Sequence, residues 1–335
     1  MDNFLKDKHI LFFSPSFFGY ENKIKDKMEK LGARVDMFDE RSVNKSYHKA
    51  LLKINPNIFN KKTEKYYFDI LEKIKSNNYD FILFIKCDMP TDKVLQTYKN
   101  TFKKAKMCLH MWDSISNIPN IENKFKYFDH ITSFDRQDSL NNPIIKFRPL
   151  FYCDEYKKEI CKTDDYEYDL CIIGTIHSDR YKIIKEIKKQ AENRGLKMYC
   201  YPYLQSKFIY YFYKITKKEF RDTKISDFEF NKISSKDIAS KVDQSRVIID
   251  IQHPKQTGLT MRTIEMLGMN KKLITTNQDI SNYDFYNCHN ILIFDRQNSN
   301  IRLTSLSEQY QAIDNRIYDK YYIDTWLYEV LGGML

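Results

Sequence analysis

The sequence predicts an α/β fold of two Rossmann-like, doubly wound domains, each a parallel sheet between helices, facing a cleft. Three observations predict it. Short apolar runs rich in β-branched and aromatic residues alternate with segments of helical spacing, as in residues 9–15, 20–31 and 34–38. The length of 335 residues exceeds the size at which single cores usually stop growing, so two domains of about 150 residues are the natural division. Finally, DIQHPKQTGLTMRTIEMLGMNKKLITTN, residues 250–277, runs strand, polar turn, helix and strand in one short segment, the unit from which parallel sheets are built.

HILFFSP, residues 9–15, reads as a buried strand bounded by a turn. Residues 20–31 carry helical spacing, Gly32 ends them, and 34–38 begin a second strand. The loop over 14–20 lacks a full Gly-x-Gly-x-x-Gly, which argues against a dinucleotide, while Ser16, Gly19 and Tyr20 would line a cleft. Residues 62–75 form a helix, 79–86 a strand ending at Asp88-Met89-Pro90, 93–102 a helix, and 106–111 a strand ending at Trp112-Asp113. Open parallel sheets bind ligands beyond the carboxyl ends of their strands, which collects Asp88, Asp113 and the 14–20 loop at one edge. His110, flanked by apolar residues, is expected in the core with a hydrogen bond, and Asp135 to pair with Arg136 or cap the next helix.

After FRPLFY, residues 147–152, the charged stretch 154–168 reads as a connector, with the boundary near 155. The strand over 169–173 is followed by Gly174-Thr175 and a polar turn with His177 and Asp179, which opens a helix at Arg180. Residues 201–221 mix aromatics with lysines over some five helical turns, a pattern shared by interfacial and buried helices. The strand over 247–251 stops at His253-Pro254, where proline has no donor for the ladder. Gly258 permits close backbone approach and Thr257 or Thr260 can cap, so free N–H groups and a positive dipole end gather near Gly258 as an anion site. Arg262 and Glu265, three apart, share a helix face. They offer a guanidinium for phosphate and a carboxylate for the hydroxyls of a ribose, or simply an ion pair with each other. Gly268 ends the helix, 271–276 supply the next strand, and 318–331 a final amphipathic helix.

Composition excludes other classes. Hydrophobic residues make up 42% and charged residues 30%, ordinary for a globular protein. No window approaches the ~20 unbroken apolar residues of a membrane span, and the start MDNFLK lacks a secretory pattern, so a cytoplasmic location is expected. Seven cysteines without paired short spacing suit reduced thiols and neither a disulfide framework nor a zinc site. The net charge of +10 and a pI near 9.0 admit nucleic acid, anionic lipid or phosphate-bearing substrates. No RNA-binding signature, zinc finger or Arg-rich helix is present and the lysines are dispersed, which argues against nucleic acid.

TGLTMRTIEMLGMNKKLITTN resembles the donor-binding segment of nucleotide-sugar glycosyltransferases of the GT-B class, especially those building capsule and lipopolysaccharide. LCIIGTIHSDRYKII, from Leu170, is similar to the first strand and turn of the C-terminal domain of that class, and HMWDSISNIP with FDHITSFDRQDS to the later part of its N-terminal domain. The resemblance implies an acceptor domain over 1–154, a donor domain over 155–317 and a helix over 318–335 that crosses back to the first. Gly174, Thr175, His177, Arg180, His253, Thr257, Gly258 and Arg262 would hold the diphosphate and Glu265 the ribose, with no cofactor and no obligatory metal. Asp113, beside a Trp112 that would desolvate it and stack on a sugar, is the favoured base and Asp88 the runner-up; the plainer role for Asp113 is a turn residue. Ser16, Gly19, Tyr20 and Trp112 would meet the acceptor. Many retaining members carry a second glutamate seven residues before the helix glutamate. Here that position is Gly258, which leaves inversion or retention open.

The expected partners are a nucleotide-sugar donor, a saccharide or lipid-linked saccharide acceptor, and an anionic membrane surface met by Phe208, Ile209, Tyr211 and Phe212 with Lys214, Lys217 and Lys218. The rival readings are a two-domain epimerase or phosphate-ester enzyme, and a nonenzymatic nucleotide-sugar or polyanion-binding protein.

Overall fold

The computed structural model describes residues 3–41, 59–161, 165–254, 256–297 and 309–333. The chain forms two units, Met1–Leu150 with Ile323–Leu335, and Phe151–Tyr322.

The first unit holds a sheet of six parallel strands, β1 (His9–Ser14), β2 (Arg34–Asp39), β3 (Phe81–Ile85), β4 (Lys106–Met111), β5 (His130–Ser133) and β6 (Ile145–Phe147), in the order β2-β1-β3-β4-β5-β6. Helices α1 (Tyr20–Lys30), α2 (Asn60–Ile74), α3 (Asp92–Thr101) and α4 (Arg136–Asn141) connect them. Their apolar runs make the core: Phe13 stacks on Phe84 with ring centroids 4.7 Å apart, and Tyr67 and Tyr98 close over it from α2 and α3. Each such side chain contributes about 1.5–3 kcal/mol by leaving water. Strand order reverses direction at β1, so the loops after β1 and β3 flank the switch point, where open α/β sheets take ligands.

The second unit repeats this logic with five parallel strands, β7 (Tyr168–Thr175), β8 (Met198–Tyr203), β9 (Ser245–Asp250), β10 (Lys272–Thr275) and β11 (Ile291–Ile293), in the order β11-β10-β9-β7-β8. Helices α5 (Arg180–Asn193), α6 (Lys207–Thr216), α7 (Ser235–Asp243), α8 (Met261–Gly268) and α9 (Asn315–Lys320) accompany them. Its switch point lies between β7 and β9, so the loops after those strands flank it.

Four expectations shift. The aromatic stretch over 201–221 is not one helix of five turns. Its start belongs to the edge strand β8, where Pro202 is tolerated because an edge can spare a donor, and α6 begins only at Lys207, capped by the Ser206 hydroxyl accepting from Ile209 N–H at 3.3 Å. The final helix is broken into α9 and α10 (Ile323–Val330), and the passage between units falls at the break. Within the first unit, α10 buries Trp326 with its ring 5.0 Å from that of His110, and Asp324 pairs with Lys27 at 2.9 Å.

The chain also enters the second unit after Leu150, where the sequence suggested 155, because Phe151, Tyr152, Cys153 and Tyr156 are buried. This packing explains Gly268. The helix does not end on a left-handed glycine: its C-cap is Met269 at φ −88°, and Asn270 takes the left-handed position at φ 51°. Glycine is needed because a Cβ there would stand 2.5 Å from Tyr152 Cγ and 2.8 Å from the Tyr156 carbonyl oxygen.

Candidate functional site

At the carboxyl edge of the second unit, arginines tie the strand ends together. Arg180, the first residue of α5, donates through Nη1 to the Thr175 carbonyl at 2.7 Å and through Nη2 to the Ile251 carbonyl, joining the ends of β7 and β9. Gly174 leaves room for it, since a Cβ there would lie 2.9 Å from Nη1. Its Nε is buried without a hydrogen-bond partner among the described residues. Burial pushes the Arg180 guanidinium below its ordinary pKa; Asp250 opposes that shift, while the charges of Arg296 and Arg262 add to it.

Asp250, the last residue of β9, anchors the start of α8. It accepts from the Thr260 hydroxyl at 2.6 Å and the Thr263 hydroxyl at 2.8 Å, while Thr260 Oγ1 caps the helix by accepting from Thr263 N–H at 3.2 Å. Of the two candidate caps, Thr260 serves. Thr257 and Gly258 lie in the preceding turn, whose carbonyls accept from Asn277 Nδ2 at 3.0 Å and Gln256 Nε2 at 3.1 Å respectively.

Arg296, which the sequence reading did not single out, completes the edge. It follows β11 and donates to Asp179 at 2.5 Å, to the Gln252 carbonyl at 2.6 Å and to Thr276 Oγ1 at 3.2 Å. The strand-end rule that promoted Asp88 and Asp113 would have found it in FDRQNS. The His177 and His253 rings stand 5.2 Å apart. Burial, then Arg180, His253, Arg296 and Lys217, push His177 down to about 3, so its imidazole is neutral at physiological pH and able both to donate and to accept. Perturbed groups gathered at strand ends make this edge a candidate site.

Arg262 and Glu265 are an ion pair, Nη1 to Oε2 at 2.9 Å, with the Glu265 side chain only 2% exposed and the Tyr156 hydroxyl beside it. One oxygen of the carboxylate thus serves the guanidinium.

The equivalent edge of the first unit is acidic and aromatic. After β3 the backbone takes two consecutive left-handed residues, Lys86 at φ 78° and Cys87 at φ 58°, a strained arrangement that needs surrounding support. It aims Lys86 Nζ at Asp113 Oδ2, 3.1 Å away, and Asp88 Oδ2, 3.4 Å away. The other oxygen of Asp113 accepts from Asn117 Nδ2 at 2.9 Å. Trp112 has Tyr20 at 6.0 Å and Phe17 at 6.2 Å between ring centroids, with Phe17 and Phe18 exposed. Gly19 is left-handed at φ 83° and opens α1. Tyr20 is buried under the tryptophan edge, and Ser16 donates to Asp39 at 3.1 Å. Away from this edge, His110 is wholly buried with Nδ1 2.9 Å from Thr132 Oγ1, and Asp135 caps α4 by accepting from Gln137 N–H at 3.0 Å.

Among the described residues no three His, Cys, Asp or Glu side chains converge as a metal ligand set, and no helix is long and apolar enough to cross a membrane. No protein family and no curated protein matches the sequence. Solved structures match nearly the whole chain. Alr3699/HepE of Anabaena, in complex with UDP and glucose, superposes with a TM-score of 0.60 at 10% identity, covering 98% of this chain and 100% of that one. Sucrose-phosphate synthase of Thermosynechococcus elongatus gives 0.56 at 11% identity, covering 97% and 94%. The UDP-GlcNAc 2-epimerase of Methanocaldococcus jannaschii, in complex with UDP-GlcNAc and UDP, gives 0.54 at 9% identity, covering 93% and 98%. At these identities the likeness is one of fold. The chain has the GT-B fold, two parallel-sheet α/β domains, that the donor-segment resemblance implied.

Proposed function

We propose that the protein is a glycosyltransferase of the cytoplasm that moves a sugar from a nucleoside diphosphate to a growing surface saccharide, of the capsule or lipopolysaccharide kind. The observation that carries this is the cationic edge of the second unit, where Arg180, Arg296, Lys217 and the histidine pair surround the turn into α8. In this reading the diphosphate rests against Arg296, the amides before α8 and His177, with Gly174 and Thr175 forming the floor. Guanidinium groups meet the charge of the leaving diphosphate, so that neither metal nor cofactor is required. Glu265 holds Arg262 and keeps the ribose role that its place on the helix face implied. Asp113 takes the proton of the acceptor hydroxyl, and Trp112 offers an aromatic face to the acceptor. That platform favours transfer to a second substrate over epimerisation of one.

Incubation with a panel of nucleotide sugars separates the readings. The expected result is release of nucleoside diphosphate that quickens when saccharide acceptors are added and persists with a chelator present. An epimerised nucleotide sugar formed without acceptor would replace the reading with its rival.

The acceptor is proposed to be lipid-linked, because α6 presents an exposed apolar face. Phe208 is 78% and Ile215 82% exposed, with Tyr211 and Phe212 between them, while Tyr210 on the opposite side is buried. Ile209 packs inward, and Lys214 and Lys217 turn back to the carbonyls of Thr223 and Ser178. Lys207 and Lys218 are therefore the exposed cations at the two ends of the helix. Together with the net charge of +10 they suit an anionic bilayer as the occupant. Sedimentation with phosphatidylglycerol vesicles is expected to pull down the protein, and Phe208→Ser with Phe212→Ser to weaken the association at least about tenfold, since each buried phenyl is worth about 1.5–3 kcal/mol. Association that survives both changes would end the membrane proposal.

A further inference from the structure

We propose that Glu40 is a positioning residue: its carboxyl group keeps a proton that it donates from Oε2 to Oδ1 of Asp88, and through Asp88 it sets Lys86 between Asp88 and Asp113. Only the role of Asp113 rests on the function proposed above.

Glu40 directly follows β2 and is wholly buried. Its Oε1 accepts from Met89 N–H at 3.1 Å. Its Oε2, and Oδ1 of Asp88, are buried with no hydrogen-bond partner among the described residues, although the two side chains lie against each other. Two carboxylates cannot satisfy one another, because each only accepts. A single proton between them turns repulsion into a hydrogen bond.

The surroundings say which carboxyl carries it. The cations gather on Asp88, with Lys86 Nζ at 3.4 Å and Arg41 Nη2 at 3.8 Å. From α2, Tyr67 donates its hydroxyl to the main-chain carbonyl of Glu40 at 2.8 Å, so it is not available to the carboxyl group. Beside them Cys87 is a thiol whose own pKa burial raises, and Lys124 Nζ is taken by the carbonyls of Cys87 and Asp88 at 2.9 and 3.2 Å. The shared proton is therefore assigned to Glu40. Burial, followed by the charge of Asp88, holds Glu40 well above the usual carboxylate range. Lys86 ends above its ordinary value, because Asp88 and Asp113 together outweigh its burial.

The mechanical consequence concerns the left-handed turn at Lys86 and Cys87. Lys124 holds its carbonyls from one side and Glu40 holds Met89 and Asp88 from the other. Ionisation of Glu40 would add negative charge beside Asp88 and draw Lys86 away from Asp113.

The test compares the protein with Glu40→Gln, which keeps the shape, donates an amide N–H to Asp88 and cannot ionise. Above 4.5, the ordinary value for glutamate, the unfolded chain has lost the proton that the folded protein keeps. The folded state then binds more protons, so this contribution to stability is full below that pH and is lost as pH rises toward the folded value. In urea titrations the folding constant of the wild type should fall relative to Glu40→Gln by up to about tenfold per pH unit in this window. An infrared band of a protonated carboxyl at neutral pH should vanish in the variant. Parallel stability curves together with an unchanged band overturn the shared proton. Should Glu40→Gln not fold, Asp88→Asn, which removes the neighbouring charge but leaves the burial, is expected to flatten the same slope without abolishing it, and an unchanged slope overturns the shared proton. For the positioning role, the 15Nζ resonance of Lys86, assigned through Lys86→Arg, should shift across the window in the wild type and stay fixed in Glu40→Gln. Identical titration in both removes that role. None of these readouts involves sugar transfer, so they stand or fall separately from the proposed activity.

Discussion

Replacing Arg296 by alanine is expected to weaken calorimetric binding of UDP and of inorganic pyrophosphate by about 10- to 100-fold, since charge-assisted hydrogen bonds contribute about 1.5–3 kcal/mol and each 1.4 kcal/mol is a decade. The fold should be untouched. Arg296 sits in a loop after β11 and its ion-pair partner Asp179 is partly exposed, so alanine leaves no buried charge behind. Arg262, the more obvious choice from sequence, is the poorer test. Its removal would strand the buried Glu265 carboxylate, and losing one partner of a buried pair costs about 3–5 kcal/mol of stability, which would blur any binding result. Arg296→Lys should keep part of the affinity, because a lysine supplies charge without the fork that reaches both Gln252 and Thr276. Unchanged affinity for both ligands in Arg296→Ala would remove the donor site from this edge.

The alternation of strands and helices was legible because β1, β3 and β9 are built on runs of apolar side chains buried on both faces, a pattern typical of parallel sheets. Strand ends are legible too, which is why the sequence places Asp88, Asp113, His177 and Arg180 just beyond β3, β4 and β7. What local pattern does not carry is the partner of a side chain. Spacing places Arg262 and Glu265 on one helix face, but only the packing of Tyr156 shows that the carboxylate is buried against its own arginine. Glycine at 268 suggests a helix stop until the Tyr152 ring supplies a different reason. MYCYPY alternates as well as it continues a helix, and the β-ladder with β7 decides the matter in favour of β8. Glu40 and Asp88 are 48 residues apart in the chain, so no window holds both.

Asp113→Asn is expected to lower the rate of sugar transfer by about 10²- to 10⁴-fold, the usual worth of a positioned base, with UDP affinity unchanged. Asparagine is nearly the same shape and can still accept from Asn117, while Lys86 retains Asp88, so the turn after β3 keeps its supports. The comparison with Asp88→Asn carries the argument further. Asp88 has Glu40, Lys86 and Arg41 around its carboxylate, so an acceptor hydroxyl would compete there with two cations and a carboxyl group. Asp113 is held by one lysine and one amide and is partly exposed beside Trp112. Its variant should therefore lose far more rate than the Asp88 variant under saturating donor. Equal losses would mean that both act only through Lys86, and full activity in Asp113→Asn would leave this edge without a base.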